Sequence, residues 1–311
     1  MPSRETCRPF FENFLANIFP IVPVCNPRAL RQQYGDFWSN LRPSSSAESL
    51  ALILAVLYTG AANSSVADIE SCSTLLRFWE KIFNTIDFAG YHARNVTASL
   101  NILQSYIIMN TFRASHLSPY SAFGFLPTTI RFAQSLRLHA EKKTGDAVCL
   151  ETRRRLWWHL LFLDVESTIA TGLPPIIHRS RYTTQLPSCP SKKDSNLQGI
   201  SPSDLEDFSP ITIAMQGHYE WTNRMQTWFE ILPSQDEVTE FKALITNLLN
   251  LIPDTEQAEN EWARTYLKMQ IDRAYCMLGL RFWQLDQYKG TGCHSEVVEC
   301  VLSPSSFSKR S

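Results

Sequence analysis

The sequence lacks any apolar run long enough to cross a membrane. Its longest apolar stretches, residues 50–58 and 156–163, are far shorter than the ~20 residues that a membrane-spanning helix needs. At the N-terminus no positively charged segment leads into an apolar run, so no secretory signal is indicated. We therefore expect a soluble intracellular protein that does not associate with membranes.

An excess of positive charge is also missing. The 311 residues include 29 lysines and arginines and 30 aspartates and glutamates, which give a formal net charge of -1. Sequence-independent DNA binding depends on clustered Lys and Arg side chains that contact phosphates. We therefore expect this chain to reach DNA only indirectly, through a partner.

The eight cysteines are too scattered to form a zinc site. No two have the two-residue gap that lets neighbouring thiolates bind one ion, and no His-x-x-x-His segment lies near them. Without a secretory signal, such cysteines are typical of reduced thiols inside the cell. The sequence therefore predicts no metal-ligating residue.

Catalytic motifs are absent as well. The sequence has no Gly-x-Ser-x-Gly elbow, no glycine-rich phosphate loop and no pair of histidines spaced for zinc hydrolysis. Asp164 and Glu166 are two residues apart and so face different sides of a helix, which disfavours joint acid–base work. His159, within an apolar run, is interpreted as a hydrogen-bonded core residue. We predict no catalytic residue, and an enzyme would need a site assembled only in three dimensions.

Helical periodicity is what the sequence does contain. Hydrophobic residues make up 44% of the chain and recur at spacings of three and four, whereas strand-like alternation does not recur. Three stripes follow the helical spacing: Leu100, Leu103, Ile107 and Ile108; Trp221, Met225, Trp228 and Leu232; and Trp262, Tyr266, Met269, Arg273 and Cys276. Only residues 176–186 are expected to be extended. The predicted fold class is all-α, a large multi-helix domain.

Capping residues predict where two C-terminal helices begin and where the last one ends. Ser234 with Glu237, and Asp254 with Gln257, have the three-residue spacing of a capping box. The second of these helices is expected to stop near Gly290, because glycine adopts a left-handed cap most easily.

Composition divides the chain into three parts. Residues 1–9 are predicted to be an N-terminal extension, residues 10–290 one domain, and residues 291–311 a disordered tail. Within the domain, residues 187–210 are polar, contain four prolines and are expected to form a long surface loop.

Residues 150–172 are predicted to form one helix that is buried on all sides, since its interior, residues 156–163, is apolar except at His159. Arg153 and Asp164 share one face of this helix. They lie about 16 Å apart along it, so they cannot pair with each other. Each buried charge therefore needs a partner on another element. The candidate partners are Arg131, Arg137 and Glu141.

The same helix carries a resemblance to a known family. The order Glu151-x-Arg153-Arg154-Arg155-Leu156-Trp157-Trp158, then Asp164, Gly172-x-Pro174 and Leu186-Pro187, resembles the core signature of the fungal-specific transcription factor domain. That domain is the middle homology region of zinc-cluster transcription factors. Residues 11–23, 100–106 and 124–139 are similar to earlier parts of the domain, in the right order. We interpret eight residues as its structural signature: Arg153, Arg154, Arg155, Trp157, Trp158, Asp164, Gly172 and Pro174.

The resemblance implies an all-helical regulatory domain over residues 10–290 that controls RNA polymerase II transcription in the nucleus. A metabolic or secondary-metabolite gene cluster is the expected target. The expected partners are zinc-cluster regulators in a homo- or heterodimer, other transcription proteins, and a small-molecule effector. The ligand-binding residues are unknown from the sequence. We hypothesise a pocket between the helices over residues 100–113 and 153–171, with aromatic and apolar lining that suits a hydrophobic metabolite.

The chain departs from the family pattern in three respects. The six closely spaced cysteines that bind two zinc ions in such regulators are absent from this sequence, so no cofactor is expected. The family's Gly-Arg-Pro is Gly172-Leu173-Pro174 here, and Arg137 stands where the family has glycine. Two alternatives stay open: a non-DNA-binding partner or competitor of intact regulators, and an enzyme of secondary metabolism on the same scaffold.

The arginine triplet and the tryptophan pair each have two interpretations. Arg153, Arg154 and Arg155 could form a nuclear-import signal or a phosphate site, but they stand at the entry of a buried helix. Trp157 and Trp158 could stack on a ligand, but aromatic residues at this spacing more often pack in a core. We predict that both groups belong to the buried framework.

Overall fold

The computed structural model describes residues 2–39, 47–64, 69–85, 96–114, 122–187 and 209–289, and within them every regular element is a helix. The α-helices are α1 (Arg4–Asn13), α2 (Pro27–Ser39), α3 (Ala47–Ala62), α4 (Ile69–Phe83), α5 (Val96–Ala114), α6 (Leu126–Ser135), α7 (Ala147–Thr171), α8 (Pro210–Trp228), α9 (Gln235–Leu249) and α10 (Ala258–Lys289). A π-helical turn, Phe14–Ile18, follows α1, and a 3-10 turn, Arg179–Arg181, follows α7. The predicted all-α fold class is confirmed.

The chain divides into two compact units, Met1–Pro187 and Ser188–Ser311. The predicted surface loop over residues 187–210 falls mostly outside the described residues, and so does the whole predicted tail over residues 291–311. The boundaries of a single domain over residues 10–290 stay a prediction. Among the described residues, no helix is long and apolar enough to cross a membrane.

Helix α3 forms the centre of the first unit, where it packs against α1, α4 and α5. Residues 51–57 of this helix are all at most 2% exposed, because a helix that is apolar on every side must be covered on every side. At Gly60, a Cβ atom would lie 2.0 Å from the carbonyl oxygen of Phe10 on α1. Only glycine leaves room for this crossing, which Asn13 reinforces by donating from Nδ2 to the Gly60 oxygen at 2.6 Å.

Helices α5 and α7 show how well the periodicity predicted local structure. The stripe predicted on α5 is buried, with Leu100, Leu103, Ile107 and Ile108 each at most 4% exposed. Helix α7 begins three residues earlier than predicted, where Asp146 accepts a hydrogen bond from the Cys149 amide at 2.9 Å. It ends at Gly172, whose φ of 70° is the left-handed conformation that glycine adopts without strain.

The second unit contains α8, α9 and α10, which pack against one another. The capping box of Ser234 and Glu237 is present at the start of α9. Helix α10, however, begins at Ala258 and not at Asp254. The Asp254 carboxylate instead lies 3.7 Å from the guanidinium of Arg264, so it forms an ion pair and not a cap.

Helix α10 is present where the stripe that begins at Trp262 predicted a helix, but its buried face lies about one residue further along than that stripe. Met269 is 41% exposed, Cys276 is exposed, and the other members of that stripe are only partly buried. The residues that α10 buries are Asn260, Ala263, Leu267, Gln270, Ala274 and Leu278. Leu267 approaches α8 closely, since a Cβ atom at Gly217 would lie 2.2 Å from its Cδ2, whereas the larger rings of Trp262 and Tyr266 are only partly buried. The predicted stripe on α8 is buried at Trp221, Met225 and Trp228, and Leu232 lies past the end of that helix.

Residues 176–187, which we call the strap, run back along α7 after its C-terminal turn. The prediction of an extended segment is only partly right, because Arg179–Arg181 form a 3-10 turn. Tyr182 has extended backbone angles, φ -142° and ψ 154°. The Thr183 amide donates to the carbonyl oxygen of His139 at 2.9 Å, so the strap is joined to the segment before α7.

Candidate functional site

Arg153 joins the start of α7 to the end of α6. The side chain is 8% exposed, and its Nη2 donates to the carbonyl oxygens of Leu136 at 3.1 Å and Arg137 at 2.9 Å. These oxygens follow the last turn of α6, where carbonyl groups lack partners within the helix. Arg137, predicted as a side-chain partner, contributes its backbone carbonyl and keeps its own side chain exposed.

Arg154, and not Arg153, pairs with Glu141. The Arg154 Nη2 lies 2.6 Å from Glu141 Oε1, and Glu141 Oε2 accepts from the Gln185 amide at 2.8 Å. Burial alone would raise the pKa of Glu141, but the hydrogen bonds from Arg154 and Gln185 and the charges of Arg154 and Arg153 together lower it. The carboxylate thus connects α7, the segment before α7 and the strap.

Arg155 pairs within its own helix. Its Nε lies 3.0 Å from Glu151 Oε1, one turn earlier, in the order that suits the helix dipole. The third predicted partner, Arg131, is exposed and donates to Gln134 at 3.1 Å. Arg131 is therefore not a partner of Arg153 or of Asp164.

Trp157 and Trp158 both pack against Tyr182 of the strap. Trp157 is fully buried, with ring-centroid distances of 6.0 Å to His139 and 5.9 Å to Tyr182. Trp158 meets Tyr182 edge to face at 6.0 Å, and its Nε1 donates to the Gln185 carbonyl at 2.7 Å. The side chains are enclosed by this chain's own residues.

Asp164 binds the beginning of the strap. Its carboxylate, 1% exposed, accepts from the Ile176 amide at 3.0 Å and from the Ile177 amide at 2.7 Å. Burial raises the pKa of Asp164, and the two amide hydrogen bonds and the nearby His178 partly offset this rise. The partner of this buried charge is therefore the backbone of the strap and not an arginine.

Gly172 and Pro174 lie in the turn between α7 and the strap. Gly172 has the left-handed φ that ends α7, and its amide donates to Thr168 at 2.9 Å. Pro174 is exposed and cannot continue the helix, since proline has no amide hydrogen. The turn reverses the chain so that the amides of residues 176 and 177 reach Asp164.

His159 is 1% exposed, and its ring stacks on Phe162 with centroids 6.0 Å apart. Burial lowers the pKa of His159 to about 3. The imidazole is therefore neutral near pH 7, which suits a core side chain.

A cavity of about 110 Å³ opens in the first unit. It lies against the N-terminal half of α5, as hypothesised, but it meets α7 at the first two turns, before the predicted segment 153–171. Its lining among the described residues includes no aromatic side chain, whereas the hypothesis expected one. Polar side chains from three helices line it, namely Gln33 of α2, Asn101 and Gln104 of α5, and Cys149 and Thr152 of α7.

No strong sequence signal marked this cavity. Its residues come from segments up to about a hundred residues apart, and none forms a spaced motif. Among the described residues, no group of three or more His, Cys, Asp and Glu side chains is placed to bind a metal ion.

The chain belongs to the family described as the fungal specific transcription factor domain, whose profile matches residues 9–289. The resemblance that the signature of α7 carried is thereby confirmed.

Curated relatives are transcription factors of fungi. The chain is 30% identical over 195 residues to the transcription factor macR of Penicillium terrestre, a match that covers 56% of this chain and 22% of macR. It is 29% identical over 195 residues to the transcription factor yanR of Aspergillus niger, covering 56% of this chain and 24% of yanR. It is 25% identical over 246 residues to the C6 finger domain transcription factor hasF of Aspergillus fumigatus, covering 70% and 32%. These matches span about a fifth to a third of the relatives' lengths. No solved structure matches the chain significantly.

Proposed function

We propose that this chain is the regulatory domain of a fungal transcription regulator and acts in the nucleus on RNA polymerase II transcription. The observation that carries the proposal is the match of the family profile to residues 9–289, nearly the whole chain. The relatives named as transcription factors support it. The expected targets are a metabolic or secondary-metabolite gene cluster.

In physical terms, the domain would act as a helical body with two conformations whose balance an effector or a partner protein shifts. The strap and the α6–α7 contact are suited to such a role. Each is attached through a few polar groups, the buried Asp164 and Arg153 and the partly buried Glu141, whose loss would release a whole segment. A ligand can shift the balance only by its difference in affinity for the two conformations.

The partners in this proposal are a second zinc-cluster regulator, in a homo- or heterodimer, and other transcription proteins. DNA contact would come through such a partner or through a zinc cluster outside this sequence. With a net charge of -1 the chain itself offers no general attraction to phosphate. No cofactor is proposed for this chain.

Deletion of the gene followed by transcript profiling tests the proposal. We expect a defined set of genes to change expression, and an unchanged transcriptome would contradict the regulatory function. A chromosomal copy carrying Asp164→Asn gives a sharper test, because it should reproduce part of the deletion profile if the strap is required. The exposed change Asp36→Asn is its matched control and should leave transcription unchanged.

A further inference from the structure

The cavity in the first unit has an apolar floor and a polar rim. Leu30, Leu52 and Leu100 are each at most 4% exposed and come from α2, α3 and α5. Val148, the most exposed of these four lining residues, is 48% exposed and lies at the start of α7. The cavity therefore reaches from the core of the unit to its surface, so a small molecule can enter without unfolding a helix.

Among the described residues, no charged side chain lines this cavity. Its twelve lining residues include no Asp, Glu, Lys, Arg or His. The charge of Arg155 acts on the lining residue Cys25, but Arg155 is paired with Glu151 at 3.0 Å. A charged ligand would lose its hydration here without gaining an opposite charge, which is costly. The chemistry of the lining therefore selects a neutral ligand.

One hydrogen-bond acceptor in the lining is unused. Gln33 Oε1 is buried and accepts no hydrogen bond from the residues that the structure describes. The amide of Gln104 is held in place, since its Nε2 donates to the Val24 carbonyl at 2.8 Å. The terminal torsion of glutamine has a broad energy minimum, so the Gln33 amide can turn toward a bound molecule. A buried acceptor without a donor is unfavourable, and a ligand with a hydroxyl or amine hydrogen would supply the missing donor.

The size of the cavity limits the ligand further. An apolar cavity of about 150 Å³ accommodates one benzene molecule, so 110 Å³ encloses about four heavy atoms, and the rest of a six-membered ring extends past the open rim. We propose that this cavity is the effector site of the domain and takes a small neutral molecule with an apolar body and a hydrogen-bond donor that Gln33 accepts. The regulatory role of this cavity rests on the proposed function, whereas ligand binding by the cavity does not.

Such a ligand would contact α2, α5 and α7 together. Binding stabilises the conformation that has the cavity, and this stabilisation grows with the logarithm of the ligand concentration once that concentration exceeds Kd. Because α7 also carries Arg153, Arg154 and Asp164, occupancy at its first turns would favour the arrangement in which the strap is attached.

Phenol, toluene and benzoate form a matched set of probes for the full chain. All three have a six-membered ring, but only phenol is neutral with a donor at neutral pH. Ligand-detected NMR titration should show phenol binding about 3- to 10-fold tighter than toluene, the range expected for one hydrogen bond, and benzoate weakest. Benzoate binding as tight as phenol, or no phenol binding, would overturn the proposal.

Variants of residues that line the cavity then test whether phenol binds there. Ala29→Phe and Cys149→Phe fill the cavity from two different helices, α2 and α7, and phenol binding should be lost in whichever of them keeps the wild-type circular dichroism spectrum. Gln33→Leu should lower phenol affinity to that of toluene, whereas the control Gln32→Leu, at an exposed neighbouring position, should leave the preference intact. Phenol binding that survives both filling variants overturns the site, and an unchanged preference in Gln33→Leu overturns the role of its acceptor.

Phenol titration and gene deletion together distinguish a failure of the proposed binding site from a failure of the proposed function. If phenol follows this pattern and gene deletion changes no transcript, the cavity is a binding site and the regulatory proposal fails. If deletion changes transcripts and phenol does not bind, the regulatory proposal stands and the effector site fails.

Discussion

Nη2 of Arg153 lies 2.9 Å from the carbonyl oxygen of Arg137, a residue whose φ of 57° is left-handed. The contact connects a buried guanidinium on α7 to the turn that ends α6. The left-handed conformation turns the chain here and presents two successive carbonyl oxygens, of Leu136 and Arg137, to the same donor. Arginine holds this conformation at a position where the family has glycine.

Arg137→Gly should stabilise the protein by about 0.5–1 kcal/mol. A side chain in the left-handed region is strained, and glycine removes that strain at a smaller entropic cost. Chemical denaturation should report a higher midpoint. The same substitution at Arg131, an exposed helical position on α6, should instead destabilise by about 1 kcal/mol. Equal effects at both positions would contradict the conformational explanation.

Arg153→Met should destabilise the first unit by about 2–3 kcal/mol, because two carbonyl oxygens lose a charged donor. The matched control is Arg31→Met, which breaks the Arg31–Glu12 pair, half exposed on both sides. That change should cost less than about 1 kcal/mol. Urea unfolding measures both, and a loss at Arg153 no greater than at Arg31 would rule out the buried role.

Asp164→Asn should loosen the strap. Asparagine keeps one acceptor oxygen and turns an NH₂ group toward the second amide, so one of the bonds to Ile176 and Ile177 is lost, at about 1–2 kcal/mol. Hydrogen exchange at these two amides should accelerate by roughly tenfold. In Asp36→Asn, on the exposed face of α2, the exchange of both amides should match that of the wild type.

His159→Leu should flatten the pH dependence of stability below pH 6.5. In the unfolded chain His159 takes up a proton below its ordinary pKa of 6.5, whereas in the folded protein burial lowers the pKa to about 3. The wild type therefore loses up to about 1.4 kcal/mol per pH unit as the pH falls through this window. Denaturation at pH 7, 6, 5 and 4 gives the slope. Gln32→Leu, which replaces an exposed uncharged side chain on α2, should keep the steep slope, and identical slopes in the two variants would refute the assignment.

Glu141→Gln should act in a lower pH window. Because the folded pKa of Glu141 lies below its ordinary 4.5, its contribution is complete above pH 4.5 and is lost as the pH falls through the folded pKa. We expect the variant to be less stable by about 1 kcal/mol at pH 7 and to approach the wild type in strong acid. A gap that stays constant down to pH 2 would show that the charge does not matter.

Periodicity and capping residues predicted α5, α7, α8, α9 and α10, since these signals act within a few turns of the chain. The stripe on α5, the capping box of Ser234 and the end of α7 at Gly172 are examples. Periodicity did not predict which face of α10 is buried. Trp262 and Tyr266 follow the same spacing as Ala263 and Leu267, and only packing against α8 and α9 distinguishes the two faces.

The arginines of α7 also show the difference between what the sequence predicts and what only tertiary packing decides. Their positions at the entry of an apolar helix determined that each needs a partner, because a buried charge cannot be left unpaired. The spacing of these residues did not predict that Arg153 binds the carbonyl oxygens after α6, or that Asp164 binds the amides of the strap.

The sequence by itself therefore determined the helical class, the family and the existence of a buried, charged helix in its first unit. Those properties depend on local propensity and on residue order along the chain. Only the tertiary structure decided which backbone groups satisfy each charge and that α2, α5 and α7 enclose an uncharged cavity. These depend on distances between segments that are up to about a hundred residues apart in the sequence, and local periodicity carries no information about them.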